Sequence, residues 1–374
     1  MSHTNTKGMI PLFIFVLLCT LFIFCADKKD VSKTKKEIMI GVKIYDYEGN
    51  FAKLFKEWQS LKINTAFLSE TLLSNQTFRD LAVKNSVRLY VILPVFYDPE
   101  ALKRNPDLYA ITDKGEIAKE EWVEFVCPTR EEFKEQRIAD IKRIVSKFDP
   151  DGISIDFIRH FVFWEKIYPD RTLDSISNTC FDAHCLNLFE KETGIAIPLE
   201  LIETEQKADW VTNNVFKDWT DWKCSVITRT VQNITEEVKK IKSDILVNIH
   251  AVPWRAYDFG GAARIIAGQD LTSISPYTDF VSPMCYSHMV KRSAPWINSV
   301  VNDMFNRTKG RIVPSIQVKE AYLPDILSVS EFEDALSEAL KLPSEGVIFW
   351  SWDALDKDPP KKEVIKKLLK KRAK

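Results

Sequence analysis

The chain has 374 residues, 45% of them hydrophobic and 28% charged, with 52 Lys and Arg against 53 Asp and Glu for a formal net charge of -1. That length suffices for one large domain with a sizeable core, and the charge balance supplies no basic face of the kind nucleic acid requires. Of the seven cysteines, the five beyond the N-terminal region (Cys127, Cys180, Cys185, Cys224 and Cys285) are odd in number and widely spread, which excludes a disulfide framework.

The N-terminal region looks like an export signal. Lys7 precedes an apolar run from Met9 to Cys25, and the chain turns abruptly polar at Ala26 and Asp27. The run is slightly short of the roughly 20 residues that a spanning helix needs. Its end on Cys25, with a charged tether beyond, resembles a bacterial lipoprotein signal in which that cysteine is lipidated. Phe24 stands where such signals usually carry a small residue, so an uncleaved signal-anchor is the alternative. The expectation is a signal over residues 1–25, a polar tether over 26–36 and a folded body over 37–374. That body would be exported and held at the cell envelope through the N-terminal lipid or anchor.

Beyond the tether, strands alternate with helices. Apolar, β-branched runs fall at 38–44, 63–68, 87–95, 152–155, 245–249, 280–284, 312–316 and 346–350. Amphipathic helical segments fill most of the gaps, at 51–61, 77–84, 131–148, 219–241 and 329–341. Continuous apolar strands alternating with helices indicate a parallel sheet covered on both faces. Eight such units favour a closed (β/α)8 TIM barrel, an α/β fold, over an open sheet. No Gly-x-Gly-x-x-Gly turn follows the first strand, so a dinucleotide is not expected. The basic tail from Lys361 spaces Val364, Ile365, Leu368 and Leu369 helically after Pro359-Pro360, which predicts the last barrel helix. Two connections exceed what packing requires, residues 96–130 after the third strand and 161–220 after the fourth. Long connections of this kind are usually functional.

In a parallel barrel the carboxyl ends of the strands carry the chemistry. The fourth strand runs from the turn at Asp149-Pro-Asp-Gly152 through Ile153, Ser154 and Ile155 and finishes in Asp156, with Arg159 and His160 just beyond. The other strand ends supply Lys43, Tyr45 and Asp46; Glu70; Tyr97 and Asp98; His250 and Trp254; Tyr286 and His288; Gln317 and Glu320; and Trp350, Trp352 and Asp353. Rings that pack on apolar sugar faces, beside polar groups that bind hydroxyls, suit a carbohydrate. Cleaving a glycosidic bond commonly takes two carboxyl groups. Asp156 is the first. Glu320 is ranked ahead of Asp353 and Glu70 as the second, because the fourth and seventh strands of an eight-stranded barrel lie nearly across the bore. Ser154 lacks the glycine-flanked elbow of a nucleophilic serine.

Metal ligands are poorly marked. His160, His250 and His288 have no tight ligand spacing, and hydrogen bonding to substrate or to Asp156 is their simpler role. The segment Cys180-Phe-Asp182-Ala-His184-Cys185 has metal-like content, but its spacing is not a standard zinc pattern and it lacks a second pair of ligands. Buried thiols in a packed loop are the expectation there, and no cofactor or metal is expected.

With these residues in view, the chain resembles the glycoside-hydrolase-like TIM-barrel families of bacteria. Those families carry an Asp-Gly-Ile-x-x-Asp-Tyr-Ile-Arg-Tyr signature, matched here by Asp151 to Arg159, with a Cys-Pro segment upstream, matched by Cys127-Pro128. Cys180 to Pro198 resembles their Cys-x-Cys-x-x-Cys insert, and the blocks Asp279 to Tyr286, Val313 to Gln317 and Gly346 to Trp352 follow in order. The resemblance implies a carbohydrate-acting barrel, with Asp156 at the motif aspartate and Arg159 at the motif arginine. His160 departs from the pattern, standing where an aromatic is usual, and Asp182 replaces the middle cysteine of the insert. The fourth strand is also similar to that of family 18 chitinases up to Asp156, but Ile158 stands where those enzymes place their acid glutamate. The expected function is therefore an exported glycoside hydrolase acting on an oligo- or polysaccharide, with a non-catalytic sugar-binding barrel as the alternative.

Overall fold

The computed structural model describes residues 38–373, so the expected export signal and tether, with Cys25, lie outside the described residues. Eight parallel strands form the sheet. They are β1 (Met39–Ile44), β2 (Thr65–Leu68), β3 (Arg88–Pro94), β4 (Gly152–Asp156), β5 (Leu246–Ala251), β6 (Phe280–Pro283), β7 in two pieces (Arg311–Ile312 and Ser315–Gln317) and β8 (Gly346–Trp350). Each pairs with its neighbour in chain order, and β8 pairs with β1, Met39 facing Gly346. The expected single strand over 312–316 is interrupted because Pro314 cannot donate to the ladder. The Met284–Ser315 bridge carries pairing across that gap, so the sheet closes on itself as a (β/α)8 barrel.

The outer layer holds α1 (Phe51–Ser60), α2 (Gln76–Lys84), α3 (Glu131–Phe148), α4 (Ala183–Thr193), α5 (Thr204–Asn214), α6 (Phe216–Ile241), α7 (Pro295–Thr308), α8 (Val329–Ala339) and α9 (Pro359–Ala373). Several of their starts are capped by side chains. Asn50 accepts from the Lys53 amide, Asn75 from Phe78, and Ser328 with Glu331 makes a capping box. Helix α6 begins at Phe216, a turn earlier than the periodicity indicated, and α9 begins at Pro359. Among the described residues, no helix is long and apolar enough to cross a membrane.

Strand alternation sends odd and even positions to opposite faces. On β4, Ile153 and Ile155 join the large apolar cluster between sheet and helices. Gly152, Ser154 and Asp156 take the other face. That interior is graded along the barrel. At the amino-terminal end, Met39, Phe67, Tyr90, Ile92, Phe280, Val313 and Ile348 form a separate apolar cluster. Next comes a buried polar layer, in which Ser154 donates to Asn248 at 2.7 Å and Asn248 donates to Ser282 at 2.9 Å. Above it lie Lys43, Asp156 and His250.

Two glycines separate packing from backbone conformation. Gly346 has φ +154, and a Cβ there would lie 2.0 Å from the Met39 carbonyl oxygen in the β8–β1 seam. Gly194 closes α4 at φ +75, and nothing lies within 4 Å of where its Cβ would stand. Replacing Gly194 with Ala should therefore cost only about 1 kcal/mol of backbone strain. Gly346→Ala should cost about 3 kcal/mol or more by forcing the seam apart. Equal losses in denaturant midpoint for the two variants would contradict the packing of that seam.

Candidate active site

β4 ends where its backbone must turn out of the barrel. The Asp156 carbonyl accepts from the Val95 amide at 2.9 Å, continuing the pairing with β3. Phe157 then adopts φ +49, a region a bulky residue seldom occupies. This turn directs the Phe157 amide back to the Asp156 carboxylate at 2.8 Å. The Phe157 ring is held by stacking on Tyr97, centroids 4.8 Å apart. Arg159 is 1% exposed, its guanidinium over the rings of Phe125 and Phe157 at 4.9 and 5.2 Å.

Asp156 opens into a pocket of about 300 Å³ at the barrel mouth. Trp122 comes from the connection after β3, and Arg159 and Glu165 come from the one after β4; Tyr322 reaches over from the loop after β7. Lys43, Tyr45, Met284, Tyr286, Met289 and Trp350 complete the wall. Tyr286 stacks on Trp350 with centroids 4.5 Å apart, and the Trp122 indole donates to the Tyr322 hydroxyl at 2.8 Å. Both long connections thus reach over the face that carries Asp156.

The two pocket carboxyls are driven apart electrostatically. Burial alone would push Asp156 up, but its surroundings hold it below the usual carboxylate value. The imidazole of His250 lies closest in effect, yet burial and Lys43 lower its own pKa to about 3 and leave it neutral. The charges that keep Asp156 ionised are therefore Lys43 and Arg159, helped by the Phe157 amide. Burial in turn lowers Lys43, and Asp156 opposes that fall. Glu165 moves the other way. Burial raises it to about 7 against the pull of Arg159, and the Asp156 charge adds to the rise. Its Oε2 is buried with no hydrogen-bond partner among the described residues. Neither position nor motif marked Glu165 in the sequence. Its only signal was the length of the connection it sits on, which is equally true of Trp122.

Of the strand-end residues singled out above, Asp156, Arg159, Lys43, Tyr45, Tyr286 and Trp350 meet on this pocket. The remainder do other work. Glu320 accepts from the Leu327 amide at 3.4 Å in a separate depression with Lys319, Asp353 and Lys361. It is stationed at its own loop, not against the Asp156 pocket. Asp353 faces Lys319 at 3.5 Å in that same depression. Glu70 pairs with Arg143 at 2.8 Å on the outside of the barrel. Asp46 accepts from the Tyr47 amide on an exposed turn.

His160 is fully buried outside the pocket, its Nε2 3.4 Å from the Lys223 carbonyl on α6 and its pKa lowered to about 3 by burial. His250 is sealed in the interior, against the Phe67 ring. His288 ties its loop to the Asp325 carbonyl at 2.9 Å. The three histidines do not assemble a metal site. Gln317 accepts from the Met289 amide at 2.9 Å and so fixes a pocket wall without facing the cavity itself. Trp254 and Trp352 are buried, packed on Phe259 and Trp58.

No protein-family model matches the chain, and no curated protein matches it. Solved structures do. The glycoside hydrolase domain of PgaB (BpsB) from Bordetella bronchiseptica is similar with a TM-score of 0.66 at 12% identity, over 88% of this chain and 98% of that one. The β-galactosidase from the psychrophilic Marinomonas ef1 gives a TM-score of 0.64 at 10% identity, over 88% of this chain and 59% of that one. The α-L-fucosidase isoenzyme 2 from Paenibacillus thiaminolyticus gives 0.53 at 11% identity, and this chain spans 48% of its length. The likeness establishes a barrel of the kind glycoside hydrolases use. At these identities it establishes the fold and nothing finer.

The Glu165 environment predicts a pH signature in stability. Its carboxyl binds a proton more tightly folded, at about 7, than at the ordinary 4.5 of the unfolded chain. That contribution is fully present below pH 4.5 and is lost as pH rises through about 7. Glu165→Gln carries no such loss. Between pH 4 and pH 8 the stability difference should shift in favour of the variant by up to roughly 3 kcal/mol. A difference that stays flat across this range in denaturant titrations would place Glu165 in water.

Proposed function

We propose that this barrel hydrolyses a glycosidic bond in an oligo- or polysaccharide, with Asp156 and Glu165 as the reacting pair. The observation that carries this reading is that two carboxyls share one aromatic-lined pocket while their surroundings push their ionisation in opposite directions. Such a split assigns the roles. Glu165, protonated near neutral pH, donates to the leaving glycosidic oxygen as that bond breaks. Asp156, ionised, faces the positive charge that develops at the anomeric carbon, as nucleophile or as the base that activates water.

The remaining wall residues fit the same chemistry. Tyr286 stacked on Trp350, together with Trp122 and Tyr322, offers flat apolar surfaces to sugar faces. Arg159 feels the field of both acids while its guanidinium lies over the rings of Phe125 and Phe157, so it tunes both carboxyls from one side of the pocket. Glu320 is not needed as the acid, since Glu165 occupies the pocket that Glu320 does not reach.

Asp156→Asn should lower kcat/KM by at least about 10³-fold, and Glu165→Gln by roughly 10²–10⁴-fold, both without loss of sugar binding. In the parent protein kcat/KM should fall with rising pH as Glu165 ionises near 7, and that limb should vanish in Glu165→Gln. The anomer formed first, read by NMR, reports whether Asp156 attacks carbon or activates water. If the parent binds oligosaccharides but releases no new reducing ends from any of them, the barrel is a carbohydrate-binding module and the hydrolase reading fails.

A further inference from the structure

The two connections that build the pocket meet again away from it, in a cluster of sulfur and carboxylate. Cys127 closes the first connection just before α3; Cys180, Asp182 and Cys185 lie at the start of α4 in the second. The Cys127 sulfur is 2.7 Å from that of Cys180 and 3.3 Å from that of Cys185. Cys185 Sγ lies 3.2 Å from Asp182 Oδ2. One donor atom from each of the four residues lies within 4.8 Å of the other three, and all three cysteines are buried. Three thiols packed against one another satisfy each other poorly, because a thiol is a weak donor and a weak acceptor. As thiolates with a carboxylate around a cation, the same four groups make a complete coordination shell.

We propose that Cys127, Cys180, Asp182 and Cys185 hold one divalent ion of the zinc class, which pins the connection after β3 to the connection after β4. Tetrahedral zinc sits about 2.3 Å from sulfur and about 2.1 Å from oxygen, which sets the ligand atoms roughly 3.5–3.8 Å apart. The four groups need move only about 1 Å to reach that geometry. Three thiolates and one carboxylate select a borderline-soft ion over calcium or magnesium, which take oxygen ligands. Four protein ligands leave no open position, so the site is structural and supplies no chemistry to the pocket.

Its surroundings suit that role. Arg130 Nη2 lies 3.4 Å from Asp182 Oδ2, offsetting part of the negative charge that three thiolates and a carboxylate bring. Thr129 Oγ1 is within 3.2 Å of both the Cys127 and Cys185 sulfurs, placed as an outer hydrogen-bond donor to them. Asp182 also caps α4, accepting from the Cys185 amide at 3.0 Å, so the capping turn itself presents the carboxylate to the cluster. Residue spacing within 180–185 gave no hint of completeness, because Cys127 lies far upstream in sequence. None of the four residues lines the pocket, so this site is independent of the hydrolase reading.

The test is the metal content of the full-length chain, purified under reducing conditions without added metal. One zinc per chain is expected, together with a fall in Tm on exhaustive chelation. After exchange with cobalt, a thiolate-to-cobalt charge-transfer band and the intense visible bands of a tetrahedral ion should appear. Because Cys→Ser variants risk misfolding, the decisive change is at Asp182. Asp182→Asn keeps the helix cap but removes the anionic ligand, and should weaken zinc retention at least tenfold. Asp182→Cys should restore it. Three results would overturn the proposal: a chain that holds no zinc and whose Tm ignores chelator, a Cys127–Cys180 disulfide in non-reducing peptide maps, or an Asp182→Asn variant that binds zinc as tightly as the parent.

Discussion

A carboxylate only 6% exposed must be balanced by nearby positive charge or give up its own. At the mouth of this barrel Asp156 keeps its charge because Lys43 rises from β1 and Arg159 returns from the loop beyond β4. Those two cations do not suffice for a second buried carboxylate, and Glu165, 8% exposed in the same pocket, stays protonated to near neutrality. The division into a charged and an uncharged acid follows from how few cations are buried there. It needs no special geometry beyond placing both side chains on one cavity.

The barrel interior prepares this arrangement by its gradient. Gly152 leaves room for the Tyr90 ring, which passes within 2.2 Å of where a Cβ would stand. Ser154 joins the buried hydrogen-bond layer with Asn248 and Ser282. Asp156 is the third inward position of the same strand. From bottom to top, one face of five residues thus runs from nothing, to a hydroxyl, to a carboxylate, as the interior passes from apolar to polar to charged. Because strand alternation has period two, a slip of one residue would drive Ile153 and Ile155 into the bore and Asp156 under the helices.

What could be learned from the sequence follows the same physics. Repeated apolar strands and amphipathic helices made the barrel legible, and a strand that ends in Asp156 pointed to the mouth pocket that this residue lines. Arg159, Tyr45, Tyr286 and Trp350 were found by the same rule. It failed at His250, which stands level with Asp156 on the neighbouring strand but is fully buried against the Phe67 ring. It failed at His160, whose side chain turns toward α6 after the left-handed Phe157 redirects the chain. Glu320 was ranked by its strand number, but its carboxylate is occupied with the turn that follows. Glu165, Trp122 and Tyr322 belong to loops whose path over the mouth is set by tertiary packing, and Cys127 finds its companions only in three dimensions. Periodicity carries no information about such placements.

One pocket thus keeps Asp156 ionised and Glu165 protonated at the same pH. Infrared difference spectra of the parent against Asp156→Asn and Glu165→Gln measure this directly, since protonated and ionised carboxyls absorb in separate bands. Between pH 5 and 8, Asp156 should be a carboxylate throughout, while the Glu165 acid band should persist to near neutrality and disappear around pH 7. Two carboxyls that both ionise at ordinary values near pH 4 would contradict the account, because neither would then be prepared for its role.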